Sequence, residues 1–475
     1  MSFRYIGLAD EIGGKIENGG FRAGEKLPSL RDLHANTGLS LSTVYHAYIE
    51  LEKRGMVEAR HKSGFYVRPR MDAILPRPTM KRPSAGPRKV SVNALVEFIL
   101  ESAADPGLLP LGTAVAAAEL MPVKALAKTI RSVCGRYIRN ADIGYGPPTG
   151  SPLLRRQISR RSVGFHPETH EDDILITSGC MEAVQLCLRA VARTGDTVLV
   201  ESPTFVCYLQ LIEDLNMYAL ETPTDPETGI DLASVGQAIK KNRVSACILN
   251  PNFQNPLGFE MPDAAKQELV AMMARRNIPI IEDDIYGDLY FGDSRPATLK
   301  SHDRKGMVLH CSSFSKTLAP DLRIGWTLPG RFMPQVKRLK INSSMTTSKL
   351  NQLIIAAFLK EGAYDRHLRK LRKNVKHQMA NTAQAVARYF PAQTRLTAPR
   401  GGFVLWVEME PGVDGMQVFE LAKENRIFVA PGLICSGTGK YRNCLRISCG
   451  HPFTAEMENG IRLLGDIVKS LSPAG

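Results

Sequence analysis

Ser312-Ser313-Phe314-Ser315-Lys316-Thr317-Leu318-Ala319-Pro320-Asp321-Leu322-Arg323-Ile324-Gly325-Trp326 follows the apolar run Met307-Val308-Leu309-His310-Cys311. That run reads as a buried strand, so Lys316 stands just past a buried strand end. Small hydroxyls flank the lysine, and an arginine follows seven residues later. A lone loop lysine is ordinarily solvated and does no chemistry. Partial desolvation lowers its pKa and makes the amine a competent nucleophile toward a carbonyl. Serine hydroxyls and an arginine at the same end suit a phosphate, through charge-assisted hydrogen bonds. These groups outline a site for pyridoxal phosphate.

Upstream of the lysine, short apolar runs alternate with helical patterns. Ile174-Leu175-Ile176, Thr197-Val198-Leu199-Val200, Cys247-Ile248-Leu249 and Ile278-Pro279-Ile280-Ile281 are strand candidates, and a helix is expected from Asp263 to Arg276. The alternation predicts a mostly parallel α/β sheet with its chemistry beyond the carboxyl ends of the strands. Each run is followed by a distinctive stretch. Thr177-Ser178-Gly179-Cys180-Met181-Glu182-Ala183 turns into a helix, whose N-terminal amides suit a phosphate. Glu201-Ser202-Pro203-Thr204-Phe205 brings an aromatic ring, and Asn250-Pro251-Asn252-Phe253-Gln254-Asn255-Pro256-Leu257-Gly258 and Glu282-Asp283-Asp284-Ile285-Tyr286 bring amides, carboxylates and a phenol. Singly, each reads as a turn or a capped strand end. In succession at five strand ends they point to one site.

Over residues 91–475 this pattern closely resembles the fold-type I pyridoxal phosphate enzymes of the aspartate aminotransferase family. The resemblance implies that Lys316 forms the internal aldimine, Asp283 pairs with the pyridine nitrogen, Asn255 and Tyr286 bond the phenolic oxygen, and Phe205 stacks on the ring. It places the phosphate on the amides of Gly179, Cys180 and Met181, on Ser313 and Ser315, and on Arg323. Tyr145, in Tyr145-Gly146-Pro147-Pro148-Thr149-Gly150, matches a tyrosine that reaches the phosphate from a neighbouring subunit of a head-to-tail homodimer. Arg446, in Leu445-Arg446-Ile447-Ser448, matches the arginine whose planar fork binds a substrate carboxylate. Met181, Phe205 and Leu257 stand where the family often has Gln, Tyr and Thr. Ser436-Gly437-Thr438-Gly439-Lys440-Tyr441 has a phosphate-loop look, but Ile434 and Tyr441 occupy positions a P-loop needs for Gly and Ser/Thr.

The first 67 residues are of another kind. Tyr5, Leu8, Ile12 and Ile16 form one helical stripe that ends at Asn18-Gly19-Gly20. Ser29-Leu30-Arg31-Asp32 has the spacing of a capping box and opens a second helix; Gly38 breaks it. Ser40 caps a third, with Val44, Ala47, Tyr48 and Leu51 as its apolar face until Gly55. Met56-Val57-Glu58-Ala59-Arg60 and Phe65-Tyr66-Val67, joined by His61-Lys62-Ser63-Gly64, predict a hairpin. The module resembles the winged helix-turn-helix of the GntR family of bacterial transcription regulators. That resemblance points Arg31, Ser42 and Thr43 at DNA and puts Lys62, Ser63 and Gly64 in the wing. Leu41 and Tyr45 stand where arginine is usual, so apolar contact to thymine methyls or shape readout replaces guanine reading there.

Residues 68–90 hold seven basic residues against one acidic and five prolines, which predicts an extended, semi-stiff linker with affinity for phosphates. The whole chain carries a net charge of +14, and residues 1–90 supply +7 of it. Nine cysteines without a CxxC pair fit a reducing compartment, and neither a metal site nor a signal segment is expected. The expected location is cytoplasmic. The expected domains are a winged helix at 1–67, a linker at 68–90, a large cofactor-binding domain at 91–335 and a smaller α+β domain at 336–475. This order resembles the MocR subfamily of GntR-type regulators. It implies regulation of a double-stranded DNA operator, with pyridoxal phosphate retained to sense a small amine, an amino acid or the cofactor itself. The rival expectation is a working aminotransferase with a secondary N-terminal module.

Overall fold

In the computed structural model, which describes residues 4–60, 63–68, 74–83, 86–140, 143–166 and 168–472, the expected helical stripe forms α1 (Arg4–Glu17). Its Leu8, Ala9, Ile12 and Ile16 pack against Val44, Ala47, Tyr48 and Leu51 of α3 (Leu41–Lys53). Between them, α2 (Leu30–Thr37) starts at a complete Ser29/Asp32 capping box and stops at Gly38, in the left-handed conformation with φ 68°. Ser40 caps α3 by accepting the Thr43 amide. Strands β1 (Val57–Arg60) and β2 (Gly64–Val67) pair antiparallel as the wing. All four predicted pieces of the module are present, with an added bridge from Lys26 to Tyr66.

Of the basic stretch, residues 74–83 form neither helix nor strand and lie along the body of the protein. The Thr79 amide donates to Glu408 at 2.8 Å, and Lys81 reaches Asn443 at 2.6 Å and the Glu408 carboxylate at 3.5 Å. Lys81 is thereby engaged within the chain. Further on, β3 (Arg88–Lys89) adds an antiparallel edge to the large sheet.

That sheet has nine strands. After β3 come β4 (Leu175–Thr177), β5 (Thr197–Ser202), β6 (Tyr218–Asp225), β7 (Gly229–Ile230), β8 (Val244–Leu249), β9 (Ile280–Asp283), β10 (Val308–Ser313) and β11 (Gly325–Leu328). The order is β3-β6-β5-β8-β9-β10-β11-β4, with β7 on β6. The run from β6 to β10 is parallel, while β11 is antiparallel to both its neighbours. Each parallel strand is buried on both faces, which is why these segments read as continuous apolar runs rather than alternations. The predicted helix appears as Asp263–Arg275.

The smaller sheet, β12 (Arg395–Leu396), β13 (Val404–Glu408), β14 (Ala430–Pro431) and β15 (Cys444–Ser448), is antiparallel in the order β12-β13-β15-β14. The 27-residue helix Ala363–Tyr389 and the helix Ala455–Leu471 pack together beside it. Helix Lys349–Lys360 sets Ile355, Phe358 and Leu359 into a cluster with Leu154 and Ile158 of helix Pro152–Ser162 and with Tyr364 and Leu368 of the long helix.

The winged helix is latched to the smaller domain. Arg22 pairs with Glu458 at 2.5 Å and lies over the Phe453 ring at 5.4 Å. The Ala23 amide donates to the buried Asn381 at 2.7 Å. Gly24 closes against the His377 ring at φ 82°, with no room for a Cβ. Asn381 and His377 lie on the long helix and Glu458 on the last one.

Candidate functional site

Five of the strands deliver their C-terminal ends to one place. Beyond β4 the chain turns at Gly179 (φ 92°) into helix Cys180–Val191; beyond β5 lies Phe205, beyond β8 Asn250 and Asn255, at the end of β9 Asp283, and beyond β10 Ser315 and Lys316. Cys180, Met181, Phe205, Asn255, Asp283, Tyr286, Ser315, Lys316 and Arg323 line a single cavity of about 130 Å³.

Lys316 donates to the Ala114 carbonyl at 2.6 Å. Burial, reinforced by the Arg446 charge and opposed by Asp283, lowers its pKa to about 8. An appreciable share of the amine is therefore neutral near pH 7, the form that attacks a carbonyl. Asp283 faces the same cavity from β9. Burial raises its pKa, while donors oppose the rise: Tyr208 Oη at 2.6 Å to Oδ2, the Cys180 thiol at 3.3 Å to Oδ1, and the Ile285 amide. Tyr286 is hydrogen-bonded to Asn255, and burial raises its phenol.

The phosphate-like end is built from backbone. A Cβ at Gly179 would lie 2.6 Å from Arg323 Nη2, so only glycine lets the arginine approach the helix N-terminus this closely. Arg323 itself has φ 51°, a strained conformation for a non-glycine residue of the kind that gathers at binding sites. Its guanidinium reaches the Ser178 carbonyl at 3.2 Å, the Pro320 carbonyl at 3.4 Å and Ser315 Oγ at 3.5 Å, all neutral acceptors. An anion there gains charge-assisted bonds, and the free amides at the start of a helix add to it.

Two expected members stand apart. Ser313 is buried at the end of β10, where its hydroxyl accepts the Ser315 amide at 2.9 Å, and it borders a smaller adjoining cavity. Tyr145 is 89% exposed and outside the cavity of its own chain. Arg446 lies on β15, with one nitrogen on Asn255 Oδ1 and another on the Gly112 carbonyl, both at 2.9 Å; its buried Nε has no partner. A carboxylate arriving at this fork would meet a buried guanidinium held only by neutral acceptors.

Tyr208, Asn250 and Ala114 escaped the sequence reading. Tyr208 lies three residues past Phe205, a helical spacing that puts both on one face. Asn250 donates to the Asp283 carbonyl at 2.6 Å and accepts the Asn255 amide at 2.9 Å, tying two strand ends together. Ala114 carried no signal at all. The loop at Ser436 is filled by the protein itself: Ser436 Oγ and the Gly437 amide donate to Glu221 at 2.7 and 2.8 Å. No group of side chains among the described residues is arranged for a metal ion.

At the other end of the chain, Arg31 and Ser42 are exposed. The Thr43 hydroxyl is engaged with Ser40 Oγ at 2.8 Å, and Ser63 Oγ meets Tyr66 Oη at 2.7 Å. Gly64 turns the wing at φ 103°; Lys62 lies outside the described residues.

A family model described as bacterial regulatory proteins, gntR family, matches residues 4–67, and one described as aminotransferase class I and II matches residues 113–464. The chain belongs to the MocR-type GntR regulators. Among MocR-type relatives, it is 38% identical over 465 residues to the uncharacterized HTH-type transcriptional regulator YjiR of Escherichia coli K12, covering 98% of each chain. It is 35% identical over 466 residues to YdcR of the same organism, also named an uncharacterized HTH-type transcriptional regulator, over 98% of this chain and 99% of that one. Of solved structures, LysN, an α-aminoadipate aminotransferase from Thermus thermophilus complexed with N-(5'-phosphopyridoxyl)-L-leucine, is similar at TM-score 0.72 and 27% identity, over 79% of this chain and 94% of that one. The MocR-type chain is thus an HTH-type transcription regulator whose N-terminal module implies DNA binding, with an aminotransferase-like domain of a fold that is typically dimeric. Among the described residues, no helix is long and apolar enough to cross a membrane.

Proposed function

We propose that this regulator holds pyridoxal phosphate at Lys316, senses a primary amine, an amino acid or the cofactor itself there, and adjusts its affinity for a DNA operator accordingly. The observation that carries the reading is the convergence of a buried, pKa-lowered lysine, a buried aspartate and an anion-ready helix start on one cavity. When bound, pyridoxal phosphate supplies an aldehyde that condenses with primary amines. Asp283 would pair with the pyridine nitrogen, and a cation there would lower the carboxyl that burial has raised. Asn255 and Tyr286 would hold the phenolic oxygen, and Phe205 would cover the ring. The amides of Gly179, Cys180 and Met181, with Ser315 and Arg323, hold the phosphate, and Ser313 orients the Ser315 amide. Arg446 takes an effector carboxylate.

Tyr145 is exposed because its partner is a second copy, in a head-to-tail dimer that completes each phosphate site. Such a dimer presents two winged helices to paired DNA half-sites. Coupling requires that the effector bind two arrangements of the domains unequally. Arg446 on β15 and the latch at Glu458 and Asn381 belong to the same smaller domain, so an effector that repositions that domain carries the winged helix with it.

The test is a spectrophotometric titration of the purified chain with pyridoxal phosphate, then with amino acids and amines, with and without operator DNA. A visible band that amines shift, and whose response changes with DNA, is the expected result. No band overturns the cofactor reading. The complete lysine–aspartate–arginine set also favours a second reading, a working aminotransferase. Multiple turnover at about 1 per second or faster, without specific DNA binding, would establish that instead.

A further inference from the structure

Two apolar side chains stand on the outer face of α3, beside the polar Ser42 and His46, where a DNA-reading helix is ordinarily charged. Leu41 and Tyr45, one turn apart, are 47% and 46% exposed, while Val44, Ala47, Tyr48 and Leu51 turn inward. Residues four apart on a helix share a face, so the two side chains form one patch beside the N-terminal turn. The Tyr45 ring is braced edge-on by His46 at 6.0 Å, and His46 in turn stands 5.9 Å from Tyr5. From Leu41 to Tyr48 the helix carries no lysine or arginine. Exposed cations occur elsewhere in the module, Arg31 on α2 and Lys26 before it.

This reading rests on the module's role in DNA binding and deepens it. We propose that Leu41 and Tyr45 select the operator by the 5-methyl groups of thymines in the major groove, with no guanine-reading contact from this helix. The physical basis is direct. The thymine methyl is the one apolar mark on the major-groove edge, and an exposed leucine–tyrosine pair offers it an apolar surface with no hydrogen-bonding demand. Guanine asks for a bidentate cation, which this face lacks. A groove lined with methyls offers this half-exposed pair an apolar partner.

The probe is a duplex recovered by repeated selection of randomised DNA on the full-length protein. It is resynthesised with deoxyuridine replacing thymidine, one half-site position at a time, which removes only the methyl. At one or two positions per half-site, affinity should fall about fourfold for each methyl, the factor expected for one buried methyl-sized group. Leu41→Ala and Tyr45→Ala should each abolish the discrimination at one position, and Tyr45→Phe should keep it. Both side chains are about half exposed and lie outside the buried core of the module, so neither change threatens the fold. Specific binding that is indifferent to uracil overturns the methyl readout and leaves the regulator standing. Failure of the selection to yield any preferred duplex removes both.

Discussion

The cavity at Lys316 and the outer face of α3 are opposite solutions to binding. In the cavity, almost every polar group has a neighbour in the same chain: Asp283 is met by Tyr208 and Cys180, Asn255 by Asn250, and Lys316 by Ala114. On α3 the side chains proposed to read DNA stand in water, and their selectivity comes from what the partner brings. An enclosed site can be broken by one residue. An exposed face fades by degrees. The largest expected effect is therefore Lys316→Ala, which should eliminate the visible cofactor band and every amine response while leaving the melting temperature unchanged or higher, because a partly charged group leaves a buried position. If the amine response survives, the enclosed site is not organised around the lysine.

A second buried group separates the fold's needs from the site's. Glu201 is fully buried near Asn250 and Gln254, and burial raises its pKa to about 8. Its folded pKa exceeds the unfolded value of 4.5, so the unfolded chain loses its proton first as pH rises. Stability is accordingly lost from about pH 4.5 up to about 8 and is level above that. Glu201→Gln keeps the shape and should stabilise the protein by a few kcal/mol, on the order of the full linkage term, at pH 9. At pH 4 the gain should vanish. Denaturant unfolding at the two pH values is the measurement, and an equal effect at both would show that Glu201 is not held neutral.

The same site has a kinetic signature of intermediate size. With the Lys316 pKa near 8, the neutral fraction of the amine rises about tenfold between pH 7 and pH 9. Stopped-flow capture of added pyridoxal phosphate should accelerate accordingly and level off above pH 9. A rise centred near 10 would mean a solvated lysine.

Much of this was legible before any coordinates. Buried parallel strands read as uninterrupted apolar runs, which marked the strand ends, and the family resemblance singled out Gly179, Asp283, Lys316 and Arg323 just beyond them. Where spacing is local the reading also held, as in the Ser29/Asp32 cap and the Gly38 stop. Contacts made by backbone or by tertiary docking left no such trace. Ala114 holds the lysine through a carbonyl that any residue possesses. The β11 strand, with Trp326 between glycine and threonine, looked like the tail of the lysine loop. The prolines of the basic stretch predicted an extended linker, but not that Thr79 and Lys81 are tied to Glu408 and Asn443.

The latch between the two regions is where the comparison can be sharpened most finely. Arg22 and Glu458 are 41% and 24% exposed, and a partly exposed pair contributes about 1 kcal/mol or less. Arg22→Ala also removes the guanidinium from the Phe453 ring, yet it leaves Ala23 on Asn381 and Gly24 against His377. Overall stability should therefore change little, and both the cofactor band and the affinity for DNA without effector should persist. What should weaken is the effect of an amine on DNA affinity, because the smaller domain then moves without fully carrying α1 and its neighbours. Hydrogen exchange at the amides of residues 18–27 should rise in parallel, reporting a looser dock. Full retention of the amine response alongside faster exchange would separate the latch from the signal and direct attention to the docked linker at Thr79 and Lys81.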